Sequence, residues 1–175
     1  MDILTHIFIP LTIIYFLKKE LFNRYYVFAL SLFGLLPDFD KALGVPGVLH
    51  SIITLTLFLI PLFMIEKLTK GSKIYTSIIA FFIFSHLILD ILDVSPIFPL
   101  YPLINKGLIV EFPLAISFNS FSFIGPLIQI TYVELKTGLN TYEGVISGFG
   151  ITSMLLFISL FTIIKRREKQ QKQLI

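Results

Sequence analysis

Two aspartates stand two residues apart in Leu36-Pro37-Asp38-Phe39-Asp40-Lys41, and a histidine precedes an aspartate by four in Ser85-His86-Leu87-Ile88-Leu89-Asp90. Both pairs border or interrupt apolar stretches, where an ionisable group must be solvated, paired or bound. On a helix, positions i and i+4 share a face about 5–6 Å apart, so His86 and Asp90 can address one partner. Asp38 and Asp40, in a proline-led extended turn, can point the same way. Imidazole with carboxylate suits a divalent cation, zinc or manganese above all, and carboxylates can also bridge two metals. Each piece alone has a plainer reading. Asp38 and Asp40 could lie in a solvated turn after a helix, His86 and Asp90 could be a buried hydrogen-bonded pair, and His6 or His50 could be an interfacial histidine with no ligand role.

The elements that must position these groups are apolar. Of 175 residues, 55% are hydrophobic and 14% charged, and the mean hydropathy is +0.88, against roughly 25% charged in a soluble domain. The chain is therefore expected to be an integral membrane protein. Its net charge of +3 is read through where the cations fall relative to the apolar runs, and not as a nucleic-acid signal. There is no cysteine, which excludes thiolate metal sites, disulfides and cysteine nucleophiles.

Apolar runs lie at about 3–17, 25–36, 48–65, 74–92 and 144–164. The last three approach the roughly 20 residues a spanning helix needs. The first two, at 15 and 12 residues, read as spans lengthened by interfacial neighbours such as Phe22, Tyr25 and Tyr26. The first lacks the basic leader and small-residue cleavage site of a signal peptide, so it is expected to be retained. Residues 108–133 carry Glu111, Pro113, Asn119, Gly125 and Pro126 among apolar residues, and read as an interfacial or re-entrant segment. No internal repeat or phosphate-cradling glycine loop is present.

Lys18, Lys19 and Arg24 follow the first run; Lys67, Lys70 and Lys73 separate the third and fourth; Lys165, Arg166, Arg167, Lys169 and Lys172 follow the fifth. These are 11 of the 14 basic residues. Five spans with the N-terminus outside put all of them on one side, which the positive-inside rule makes cytoplasmic. The same threading brings His6, Asp38, Asp40, His50, His86 and Asp90 to the opposite face. The basic tail, 165–175, is expected to lie against anionic headgroups in the cytoplasm, after a single membrane domain over 1–164 whose motifs occupy 1–102.

The order Thr-His at 5–6, Leu-Pro-Asp-Phe-Asp at 36–40, Leu-His-Ser at 49–51 and Ser-His-Leu-Ile-Leu-Asp at 85–90 resembles the YdjM-like family of membrane-bound metal-dependent hydrolases, also described as LexA-regulated inner-membrane hydrolases. By that resemblance, His6, Asp38, Asp40, His50, His86 and Asp90 are implied as metal or catalytic residues. The departure lies in the third motif. Leu49 stands in place of a threonine, and Val45 and Pro46 stand where the family carries His-Arg, so one expected ligand or phosphate-binding arginine is missing. The proline-rich segment Asp93 to Pro102 is similar to the family's Trp-Pro-Phe loop, with Tyr101-Pro102 in that place, and is expected to cap the site from outside.

The expectation is an all-α polytopic bundle of about five transmembrane helices with a divalent metal at its extracytoplasmic face. Asp38, Asp40, His50, His86 and Asp90 are expected as ligands, with His6 a ligand or proton carrier. Catalytic roles are expected for His6, Asp40 and Asp90, with one non-ligating aspartate as general base. The expected partners are the lipid bilayer and a lipid or lipid-linked phosphoester, with no nucleic acid. A transporter using the same cluster for metal ions or protons is the rival, and it would place its groups near the midplane with internal symmetry.

Overall fold

The computed structural model describes residues 2–23, 25–45, 47–113, 115–117, 122–134 and 146–173. Arg24, Pro46 and Asn119, named above, lie outside the described residues. Helix α1 (Ile3–Leu17) is followed by a 3-10 turn (Lys19–Asn23), then α2 (Tyr26–Ser31) running into a second 3-10 turn (Leu32–Leu35). A single helical turn, α3 (Phe39–Ala42), precedes the long helices α4 (Ile52–Lys70) and α5 (Ile74–Leu92). Four strands come next: β1 (Lys106–Glu111), β2 (Ala115–Ser117), β3 (Ser122–Ile124) and β4 (Gln129–Glu134). Helix α6 (Gly148–Gln173) closes the described chain.

Helix α5 is the centre. Half of its apolar window is buried, against 17% for α4 and 11% for α6, so the outer two present their leucines and isoleucines outward, as helices solvated by lipid tails do. One cluster joins Leu11, Ile14, Tyr15, Val27, Ile78, Phe82 and Phe157 across α1, α2, α5 and α6. On the other side of α5, Ile79, Ile83 and Leu87 meet Leu55 and Leu59 of α4 and Ile97 of the following loop. Helices α4 and α5 form an antiparallel pair joined by a tight turn at Gly71, whose φ of +62° is the left-handed cap that glycine reaches without penalty. Glu66 fixes that turn by accepting from the amides of Tyr75 (3.0 Å) and Thr76 (2.7 Å) and the Thr76 hydroxyl (2.7 Å).

Helices α1 and α6 run parallel. Asp2 meets Ser147, the Phe8 ring meets Phe157, Tyr15 meets Phe161, and Lys19 pairs with Glu168. Gly150 lets the two N-terminal ends close, since a methyl there would overlap the Asp2 carboxylate. The basic residues after α1, between α4 and α5 and along the last turns of α6 therefore gather at one end of the bundle.

Two expectations are corrected here. Among the described residues three helices, α4, α5 and α6, are long and apolar enough to cross a membrane, which is short of five. At 1.5 Å per residue, α1 reaches about 22 Å of the roughly 30 Å hydrocarbon core. Residues 26–35 are shorter still, running alongside α5 from Tyr26 beside Tyr75 to Gly34 beside Phe82. Pro37, which has no amide to donate, follows this segment closely.

The chain is also not all-α: the described part of 108–133 is built of strands. Strands β1 and β4 pair antiparallel from Lys106↔Glu134 to Glu111↔Gln129, and β2 pairs with β3. Leu-Ile-Val in β1 and Ile-Thr-Tyr-Val in β4 are β-branched and aromatic runs that favour a pleated surface. The ladder breaks between the two sheets, where Pro113 offers no donor and Gly125, at φ +88°, lies close against the Pro113 carbonyl.

Candidate metal centre

The site is assembled where α1 begins, α4 begins and α5 ends. The N-cap Asp2 starts α1 by accepting from the Thr5 amide at 3.0 Å, and its backbone carbonyl lies 3.0 Å from His6 Nδ1. Pro10 cannot donate to the carbonyl of His6, and Gly34 packs against that oxygen so closely that a Cβ at 34 would stand 3.1 Å from it. The Gly34 carbonyl in turn lies 2.6 Å from His86 Nδ1. Ser51 caps α4, accepting from the Thr54 amide at 3.3 Å and donating to the Tyr101 carbonyl at 2.5 Å. With Phe98 N donating to the His50 carbonyl and Ile52 N to that of Pro99, the 93–102 loop is bound over the His50–Ser51 segment.

All six candidate residues come together. Nε2 of His6 lies 3.4 Å from Asp90 Oδ1, while Nε2 of His50 and of His86 lie 3.1 and 3.4 Å from Asp90 Oδ2. Asp38 Oδ1 stands 3.8 and 3.7 Å from the Nε2 atoms of His50 and His86. The His6 and His86 rings overlap with centroids 3.8 Å apart. His6, Asp40, His50, His86 and Asp90 are all buried to 1% exposure or less, whereas the Asp38 side chain is 28% exposed. Asp38 is thus the wet mouth of an otherwise dry cluster.

One detail departs from the expected geometry. Residues 36–38 form a turn leading into α3, not an extended segment, so Asp38 and Asp40 flank His50 from opposite ring nitrogens. Asp40 Oδ2 lies 3.0 Å from His50 Nδ1 and accepts from the amides of Gly47 (2.9 Å) and Leu49 (3.0 Å). It sits behind the imidazole, orienting it. The Nδ1 of His86 is held by the Gly34 carbonyl, and Asp90 faces the other ring nitrogen. The carbonyls of Asp2 and Gly34 and the amides of Gly47 and Leu49 carry no side-chain signature. The only hint of them is the general rule that a ligating histidine has its other nitrogen held.

The atoms present suit a cation. A carbonyl can only accept, so Nδ1 of His6 and of His86 carries the proton, and in the neutral ring Nε2 is a lone pair. Those lone pairs face the oxygens of Asp90, acceptor against acceptor, and His6 Nε2, His86 Nε2 and both Asp90 oxygens are buried without a hydrogen bond. Buried polar atoms are rarely left so. Protonating both rings would supply donors but stack two positive charges face to face, whereas a cation held among the lone pairs relieves both problems. Among the described residues two ligand groups have donor atoms close enough to share an ion: His6, His86 and Asp90, and Asp38, His50 and His86.

A family model described as YdjM inner membrane protein matches residues 1–168. No curated protein and no solved structure shows significant similarity to the chain.

Proposed function

Because the chain belongs to the YdjM inner membrane protein family, we propose that it is a membrane-bound metal-dependent hydrolase acting at the extracytoplasmic face on a lipid or lipid-linked phosphoester. The observation that carries this reading is the convergence of three imidazole Nε2 atoms on the Asp90 carboxylate, with each opposite Nδ1 already fixed. His6, His86 and Asp90 would hold a divalent ion, with His50 beside them. That ion would supply Lewis acidity toward a phosphoryl or acyl oxygen.

The chain's own residues divide the remaining work. Asp38, the one carboxylate reached by water, is the general base at the mouth. Asp40 is unsuited to that role, since three donors already engage its Oδ2 and it is fully buried. The third motif carries Val45 and Pro46 where the family has His-Arg, so the metal site would be the source of positive charge that this reading assigns to a phosphoester. The substrate assignment rests on depth: the cluster lies at one end of the bundle, level with the ends of α4 and α5, where headgroups would lie. The outer placement rests on the basic residues at the opposite end.

The test is elemental analysis of purified protein together with hydrolysis of a phosphoester and ester panel in detergent–lipid micelles. One to two divalent ions per chain and metal-dependent turnover are expected. Metal or proton flux in vesicles that requires Asp90, with no hydrolysis across the panel under any metal, would replace this reading with a transporter.

A further inference from the structure

At the end of the bundle remote from the histidines, an open cleft of about 490 Å3 lies between the last turn of α1 and the first turns of α5. Its wall is apolar, with Ile14, Leu17, Ile78 and Phe81, and its rim carries Lys18 and Lys73 together with Glu20. Each lysine flanks the terminus of its helix, Lys18 as the C-cap of α1 and Lys73 as the N-cap of α5. They therefore stand at the same level, where the apolar part of both helices stops. Neither lysine has an ion-pair partner among the described residues, whereas the neighbouring Lys19 is paired with Glu168.

We propose that this cleft is a binding site for one anionic phospholipid, an acyl chain lying along the apolar wall and the phosphate between Lys18 and Lys73. The combination is what a lipid requires and a soluble anion does not: hydrocarbon surface continuous with paired cations at the headgroup level. Basic pockets between membrane helices on the positive side attract anionic headgroups in this way. The single acidic group on the rim, Glu20, weakens the attraction without cancelling two lysines. The site is separate from the histidine cluster and does not depend on hydrolysis.

The chain has no tryptophan, so Phe81→Trp places a sole tryptophan on the cleft wall, excited selectively at wavelengths where tyrosine does not absorb. In proteoliposomes where either phosphatidylglycerol or phosphatidylcholine carries brominated chains, the anionic lipid should quench at about tenfold lower mole fraction. Lys18→Gln with Lys73→Gln should abolish that preference, Glu20→Gln should increase it, and high salt should reduce it. Lys67→Gln with Lys70→Gln, at the same end but outside the cleft, should leave it unchanged. Native mass spectrometry of protein without the tryptophan should show the same retention of phosphatidylglycerol over phosphatidylcholine, lost in the Lys18/Lys73 double variant. Equal quenching by the two lipids, a preference that survives the double substitution, or one lost equally in the Lys67/Lys70 control overturns the proposal. Relief of quenching by inorganic phosphate would assign the lysines to a free anion and overturn it as well.

Discussion

Each histidine of the cluster spends one nitrogen on being held and offers the other. The three holders differ: two are backbone carbonyls, of Asp2 and Gly34, and one is the Asp40 carboxylate. Asp40 and Asp90 should therefore fail differently. In Asp90→Asn the amide can still donate to a facing Nε2, so folding is retained, but the charge facing three imidazoles is gone. Bound metal should fall, and turnover should drop tenfold or more at any metal concentration, a barrier rise of about 1.4 kcal/mol or above. Asp40→Asn removes the charge behind His50 and loosens its orientation, while the amide oxygen can still accept from Gly47 and Leu49. It should weaken metal affinity by about 10–100-fold while added metal restores turnover. Metal titrations of activity for the two variants separate the cases, and equal, unrescued losses would make Asp40 a ligand.

The helices carry these residues through their ends more than through their lengths. Asp2 is the clearest case: its carboxylate accepts from the Thr5 hydroxyl at 2.7 Å and the Ser147 hydroxyl at 2.5 Å, so one side chain caps α1, holds the start of α6 and precedes the carbonyl that orients His6. Burial raises its pKa, but the hydrogen bonds from Ser147 and Thr5 outweigh that and hold the carboxyl below its ordinary value. A carboxyl depressed on folding contributes stability above its unfolded pKa of about 3.9 and loses it as pH falls through the lower folded value. Wild-type protein should thus be more heat-stable than Asp2→Asn at pH 6, with the gap closing below about pH 4. Thermal melts in detergent across that range check it, and a gap that widened on acidification would contradict the geometry.

Across the whole bundle the two ends have opposite chemistry. One holds His6, His50 and His86 with Asp2, Asp38, Asp40 and Asp90; the other holds Lys18, Lys19, Lys67, Lys70, Lys73 and the basic turns of α6. A membrane oriented by its cations would place the second end in the cytoplasm. Single cysteines at the exposed positions Leu43 and Lys70 should then react from opposite sides, Leu43→Cys with an impermeant reagent on intact cells and Lys70→Cys only after permeabilisation. Reaction of both from outside would remove the extracytoplasmic placement of the site. The β1–β4 hairpin is tied to the first end through the Ile97↔Leu108 bridge, so labelling along β4 at Tyr132 should follow Leu43.

Much of this was legible from residue order. Long apolar runs between lysine clusters require helices that alternate in direction, because a buried backbone must satisfy its own hydrogen bonds and cations avoid translocation. Alternation alone brings the start of α1, the start of α4 and the end of α5 to one end, and with them His6, His50, His86 and Asp90. The i, i+4 spacing sufficed to aim His86 and Asp90 together, since helix geometry is local. Other features depend on contacts between segments distant in the chain. The half-length of 26–35 is set by where it packs along α5, and the β1–β4 pairing by strand partners 18 to 28 residues apart. The separation of Asp38 at the wet mouth from Asp40 behind His50 follows from one helical turn and two backbone amides. The holding of His86 by the Gly34 carbonyl spans 52 positions and involves no side chain at Gly34. Side-chain types announce chemistry, but a carbonyl is identical at every residue, and only packing selects which one a histidine meets.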